Sequence, residues 1–237
     1  MNKQLLIIIP AYNESESIAD VVSNLTENFP QFDYVIINDG SSDDTAAICR
    51  SHHFNIIDQS INLGLTGTFQ TGVRYALRHG YDAVLQFDAD GQHLPEYIQP
   101  MLDKLHEGYD IVIASRYLNQ KKPNSLRMFG SRIISATTKM ITGQTLTDPT
   151  SGMRIYGKRL LKIMASDPNI TPEPDTVAYL MRNGAKTTEV PVVMKERLRG
   201  RSYLTVGKSI MYMATICTSN LFLCWFRPRL RLGDDAS

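Results

Sequence analysis

Short apolar runs alternate with amphipathic stretches through the first half of the chain. Residues 5–9, 34–38, 55–58, 83–88 and 111–114 are brief and rich in Ile, Val, Leu and aromatic side chains, the pattern of strands. Between them, residues 15–28, 44–51, 66–79 and 95–107 space their apolar positions three and four apart, as surface helices do. Ser15 or Glu14, Asp43 and Pro95 mark helix starts, and Gly80 and Gly108 stand where helices end. Strands alternating with helices predict a mainly parallel sheet with helices on both faces. From about residue 116 the alternation fades. A helix over 127–141, a loop over 148–154, a helix over 175–183 and a strand over 188–194 are predicted there.

Ligands of an open parallel sheet bind beyond the carboxyl ends of its strands. Four polar loops meet that condition, at residues 10–14, 39–44, 59–67 and 88–93. The last is the most telling: Asp88-Ala89-Asp90-Gly91-Gln92-His93 sets two carboxylates one residue apart at a strand tip. Mg²⁺ is usually held by one or two carboxylates together with substrate phosphates, so this spacing suits a diphosphate-bridging cation. An Asp-rich turn alone is an ordinary solvated loop; the neighbouring motifs raise its meaning.

Pro10-Ala11-Tyr12-Asn13-Glu14, Asn38-Asp39-Gly40-Ser41-Ser42-Asp43-Asp44-Thr45, Asn62-Leu63-Gly64 and Asp88 to His93 follow in an order that resembles the family-two glycosyltransferases. Asp148-Pro149-Thr150-Ser151-Gly152-Met153-Arg154 and the segment from Arg197 to Ser202 are similar to its polyprenyl-phosphate branch, which includes dolichol-phosphate mannose synthase. The resemblance implies a GT-A-type, Rossmann-like α/β fold, a nucleotide-diphosphate sugar donor, Mg²⁺ or Mn²⁺, and inversion at the anomeric carbon. It places Pro10, Tyr12, Glu14, Asp39, Asn62, Gly64, Asp88, Ala89 and Gln92 around the nucleotide sugar. Asp90 falls on the metal and Asp88 on the metal or the ribose, while Gln92 and His93 line the sugar or complete the metal's ligands. Many relatives carry a basic residue soon after the Asn-x-Gly, whereas Leu65 and Thr66 stand here, which leaves Arg74 or the metal to meet the donor phosphates.

The second half is rich in arginine, whose planar fork binds phosphate bidentately. Arg127, Arg154, Arg197, Arg201 and Ser202 are the expected acceptor-phosphate seat. A lipid monophosphate is already anionic near neutral pH and needs no base. A sugar hydroxyl needs one, and Asp148 is the foremost candidate, with Glu173 and Asp175 behind it. Asp148, grouped with Asp88 and Asp90 as catalytic, is read mainly as positioning the acceptor and sugar near Arg154. The leading expectation is hexose transfer, from a UDP-sugar by preference, to polyprenyl phosphate. Alternatives are transfer to a hydroxyl of a lipid-linked glycan and a non-catalytic nucleotide-sugar-binding relative. A dinucleotide-dependent dehydrogenase is excluded, because the first strand runs into Pro10–Glu14 rather than a glycine-rich phosphate loop.

Composition narrows the setting. A formal net charge of +1 over 237 residues offers no general attraction to nucleic acid. Cys49, Cys217 and Cys224 lack metal-binding spacing and point to a reducing compartment. The apolar run after Met1 is too short for a signal peptide, so a cytoplasmic location is expected. Residues 209–226 carry no charge and split into two faces. Thr215 and Ser219 share a polar stripe with Lys208 and Tyr212, while Ile210, Met213, Ala214, Cys217, Leu221 and Trp225 lie opposite. Such a helix, followed by Arg227, Arg229 and Arg231, predicts peripheral attachment to the anionic inner face of the cell membrane. The expected organisation is a catalytic domain over 1–205, with a nucleotide-sugar half (1–116) and an acceptor half (117–205). A membrane-associating helix and basic tail then fill 206–237. A homo-oligomer or a small membrane partner is a further expectation.

Overall fold

The computed structural model describes residues 3–195, 211, 215–219, 222, 226–230 and 232, with side chains for all but residues 3, 126 and 127. Among the described residues, seven strands form one sheet in the order β3-β2-β1-β4-β6-β5-β7. They are β1 (Lys3–Ala11), β2 (Asp33–Asn38), β3 (Ile56–Asp58), β4 (Tyr81–Gln86), β5 (Ile111–Ser115), β6 (Arg154–Gly157) and β7 (Thr187–Pro191). All neighbouring pairs are parallel except those of β6, which runs antiparallel between β4 and β5.

The helices are α1 (Ile18–Asn28), α2 (Thr45–Ser51), α3 (Gly64–Arg78), α4 (Ile98–His106), α5 (Leu126–Thr142), α6 (Lys158–Ser166) and α7 (Pro174–Arg182). β1 shows why the sheet is covered on both faces. Its odd residues Leu5, Ile7 and Ile9 join a core with α1 and α4, and its even residues Leu6 and Ile8 join another with α3, α6 and α7. Strand side chains alternate between faces, so an uninterrupted apolar run can serve two cores at once. Burying each such side chain stabilises by about 1.5–3 kcal/mol.

Two elements were not legible from the pattern. The expected loop over 148–154 ends by entering β6, and α6 follows directly. β6 has only four residues, all buried, and begins with an arginine, which hides it from any hydrophobic-run criterion.

Among the described C-terminal residues, 211, 215–219, 222 and 226 are helical. The expected division of that helix is corrected. Ser219, assigned to the outward polar stripe, donates to the buried Asp175 of α7. Ile216 is buried, and Arg227 pairs with Asp167 at 2.5 Å while lying 4.4 Å over the ring of Tyr179. Leu230 and Leu232 pack against the α3–α6–α7 core. Local polarity cannot reveal that a serine will meet a buried carboxylate on another helix. Among the described residues, no helix is long and apolar enough to cross a membrane.

Candidate active site

The carboxyl ends of β1, β2, β3 and β4 bring the first three loops and the Asp-x-Asp loop to one edge, as expected. The loops at 11–15 and 38–45 are fastened to each other by side chains. Asn13 N donates to Ser41 Oγ at 2.9 Å, and Ser42 N returns a bond to Asn13 Oδ1 at 2.9 Å. Glu14 N donates to Thr45 Oγ1, and Ser15 N to Asp43 Oδ2. Burial works against the charge of Asp43, but bonds from Thr45 and Ser15 outweigh it and hold this carboxyl below its usual range. Pro10 and Tyr12 are half-buried on this wall, and Glu14 accepts from Ser17 Oγ at 2.9 Å.

Asp39 is almost wholly buried, and both of its oxygens accept backbone donors: Leu63 N at 2.6 Å and Gly64 N at 2.9 Å. These bonds hold the Asn62-Leu63-Gly64 loop against β2. Gly40 makes this possible. At φ +64° it occupies the left-handed region, and a Cβ there would stand 2.8 Å from the carbonyl carbon of Ile61. Asn62 is exposed and accepts from Gly64 N.

Asp88 keeps about 38% of its side chain exposed, whereas Asp90 is nearly buried, with Oδ1 accepting from Gln92 N at 3.0 Å. Ala89 is buried between them. His93 departs from its expected role as a metal ligand. Its Nδ1 accepts Asp88 N–H at 3.0 Å, which leaves Nε2 as the ring's donor, 3.6 Å from Asp88 Oδ2. The imidazole braces Asp88 and offers no lone pair to a cation. The described residues contain no cluster of three His, Cys, Asp or Glu groups. Two carboxylates with hard oxygen donors nevertheless fit Mg²⁺ or Mn²⁺ when substrate phosphates supply further ligands. A cavity of about 230 Å³ on the α1 side of the loop touches His93 and Lys195 but neither carboxylate.

The acceptor half differs most from expectation. Asp148 is fully buried, and Arg116 binds it with Nε at 2.6 Å from Oδ2 and Nη2 at 2.9 Å from Oδ1. Burial opposes the guanidinium's charge, yet the bonds and charge of Asp148 raise its pKa above the ordinary value. Glu189 of β7 completes the mount by accepting Thr147 N and Asp148 N, each at 2.7 Å. Asp148 is therefore a seat for Arg116 and has no oxygen available to a substrate hydroxyl. Arg116 is about one-fifth exposed and lies 5.2 Å from the ring of Tyr117. Lys122 reaches Ser131 Oγ at 2.9 Å, and burial lowers its pKa against the pull of Asp148 and Glu189.

Arg154 is corrected outright as an acceptor-phosphate residue. It is 2% exposed, and its guanidinium donates to the carbonyls of Pro172 and Pro149 at 2.7 Å each. Arg74 is likewise removed from the donor phosphates. It stands well down α3 from the strand edge and donates to Ala165 O and Gln70 Oε1. The Arg127 side chain, Arg197, Arg201 and Ser202 lie outside the described residues. Reasoning from the sequence missed Arg116, Glu189 and Gly152. Arg116 was within reach, since it follows β5 at the same edge that drew attention to Asp88. Gly152 brings the 148–154 loop against the donor side, because a Cβ there would lie 2.8 Å from Asp88 Oδ2.

A model of "Glycosyl transferase family 2" matches residues 6–164, which span every loop described above. The chain belongs to this family. It is a glycosyltransferase, and its resemblance to the polyprenyl-phosphate branch is supported by its relatives. An undecaprenyl-phosphate mannosyltransferase of Micrococcus luteus is 29% identical over 97% of this chain and 99% of the relative. A polyprenol monophosphomannose synthase of Mycolicibacterium smegmatis is 28% identical over 86% and 82%, respectively. A UDP-N-acetylglucosamine–dolichyl-phosphate N-acetylglucosaminyltransferase of Methanococcus voltae is 30% identical over 69% and 73%. The fold of this glycosyltransferase is shared by glucosyl-3-phosphoglycerate synthase of Mycobacterium tuberculosis, solved with Mn²⁺ and UDP-glucose. The TM-score is 0.69 and the identity 15%, over 95% of this chain and 81% of that one.

Proposed function

We propose that this glycosyltransferase moves a hexose, with inversion, from a nucleotide-diphosphate sugar to a polyprenyl phosphate at the inner face of the cell membrane. UDP is the preferred nucleotide. One observation carries the choice of acceptor: the carboxylate that would have served as base, Asp148, is buried and bound on both oxygens by Arg116. A site that presents a mounted cation and withholds a base suits a nucleophile that is already anionic. A phosphate monoester meets that condition near pH 7, its second pKa being about 6. The relatives named for undecaprenyl-phosphate, polyprenol and dolichyl-phosphate chemistry support the same reading.

Asp88 and Asp90 would hold Mg²⁺ or Mn²⁺ against the donor diphosphate, and the bound cation supplies neutralisation of charge on the departing nucleoside diphosphate. The other steps belong to this chain's own residues. Gln86 and His93 orient Asp88, and the absence of a side chain at Gly152 leaves that carboxylate room. Pro10, Tyr12 and Glu14 form one wall for the nucleotide. Asp39 keeps Asn62 and Gly64 in place on the other, and Ala89 and Gln92 close the floor. Arg116, with Lys122 beside it, draws the acceptor phosphate to the anomeric carbon, and Arg127, Arg197, Arg201 and Ser202 extend that seat.

The test offers the full chain UDP- and GDP-sugars with Mg²⁺ or Mn²⁺ and either short-chain polyprenyl phosphate or a glycan-diphospholipid. Released nucleotide and glycosylated lipid are then measured. Transfer to the monophosphate is expected, and Asp90→Ala should lower it by about a thousandfold or more. Transfer only to the glycan hydroxyl would overturn the acceptor assignment. Failure to release nucleotide with either acceptor would mark a non-catalytic binding relative.

A further inference from the structure

Val190 belongs to the core shared with α1 and α4, so Glu189, one residue before it on β7, faces the other side of the sheet. There both of its oxygens go to a single turn. Oε2 accepts Thr147 N and Oε1 accepts Asp148 N, each at 2.7 Å. Bonds to an ionised acceptor are roughly twice as strong as neutral ones. A carboxylate that takes two successive N–H groups fixes the peptide between them in both position and rotation. Ser115 Oγ, 2.6 Å from Thr147 Oγ1, ties the same turn to the end of β5.

The turn held in this way carries Asp148, and Asp148 carries Arg116. Oδ2 accepts the Arg116 backbone N at 3.2 Å and its Nε at 2.6 Å, while Oδ1 accepts Nη2 at 2.9 Å. Arg116 is thus gripped at its main chain and along one edge of its guanidinium, which sets the direction of the opposite edge. Charge follows the same path. Two carboxylates in one neighbourhood repel, and cations must answer them. Arg116 does so directly, and Asp148 and Glu189 both act on Lys122 as well. Glu189 therefore enters the charge balance of this end of the cleft as well as its geometry.

We propose that Glu189 is a positioning residue for the transfer reaction: through the Thr147–Asp148 turn it sets the pose in which Arg116 meets the acceptor phosphate. It touches no substrate itself. This rests on the polyprenyl-phosphate reading and extends the acceptor seat from the cleft to β7, the last strand of the sheet. Misplacing a reacting group by about 1 Å can cost on the order of a hundredfold in rate, so a clamp three links from the substrate can still govern turnover.

The test compares the parent, Glu189→Gln, Arg116→Ala and the double variant in steady-state transfer to short-chain polyprenyl phosphate, using the UDP- or GDP-sugar that serves the parent. Binding of the matching nucleoside diphosphate with Mn²⁺ is followed by calorimetry. Glutamine keeps the shape of the side chain but turns an amide N–H₂ toward one of the two backbone N–H groups. Acceptor kcat/KM should fall by about tenfold or more in Glu189→Gln, with nucleotide affinity within about twofold of the parent. In the Arg116→Ala background the same change should cost nothing further, because the path from Glu189 to the acceptor runs through Arg116. An equal loss in both backgrounds, or nucleotide binding that weakens in parallel, would show a merely structural role and overturn the proposal. So would an undiminished acceptor kcat/KM. If the glutamine variant does not fold, Glu189→Ala, which leaves room for water at the two N–H groups, is read by the same criteria. A parent that transfers nothing to the monophosphate would remove the underlying reading, and the role of Glu189 with it.

Discussion

Gly152 and Arg154, two residues apart on one loop, show how differently neighbouring positions can serve the same site. Gly152 stands against Asp88, so Gly152→Ala would press a methyl group to 2.8 Å from Oδ2. The exposed carboxylate can swing aside, which makes the cost functional. Turnover is expected to fall by about tenfold or more, while the melting temperature moves by less than ~2 °C. Arg154 is the reverse case. Its buried guanidinium satisfies the carbonyls of Pro149 and Pro172, and Arg154→Met would leave both without donors. Denaturant unfolding should report a loss of about 2–4 kcal/mol, with the acceptor KM of the remaining folded protein unaltered. A raised acceptor KM at full stability would return Arg154 to the phosphate site. Nothing in the residue itself separates it from Arg116. Both are arginines beside strands, and only their partners assign one to the scaffold and the other to the cleft.

Elements meet at this site through side-chain bonds between loops that are distant in sequence. Asn13, Ser41, Ser42, Asp43 and Thr45 join the end of β1 to the start of α2, and Asp43 contributes as a carboxylate. Its folded pKa is lowered, so its stabilisation is full above the unfolded value and is lost as pH falls through the folded one. Parent and Asp43→Asn should therefore differ in melting temperature near pH 6 and converge as pH falls through the lowered folded value of Asp43. An unchanged difference at low pH would mean that the carboxylate's charge is not what ties the loops. The four strand-edge loops were readable beforehand because turn residues and the strand–helix alternation are local signals. β6 was not. Its four residues are held in mid-sheet by pairing with β4 and β5, and the sheet tolerates Arg154 there because the carbonyls of Pro149 before it and Pro172 after it satisfy its guanidinium.

For the whole molecule, the periodicity and ordered motifs of the sequence by themselves determined a two-faced, mainly parallel sheet with a nucleotide-sugar edge. Each of those features repeats within a few residues, on the scale of a strand or a turn. Tertiary structure alone decided which charges act and which merely support. It buried Asp148 beneath Arg116, turned His93 into a brace for Asp88, and drew Ser219 onto Asp175. The physical reason is that a charged group's role depends on its desolvation and its partners, and for Asp148 and Asp175 these come from residues tens of positions away, brought near only when the chain closes on its core.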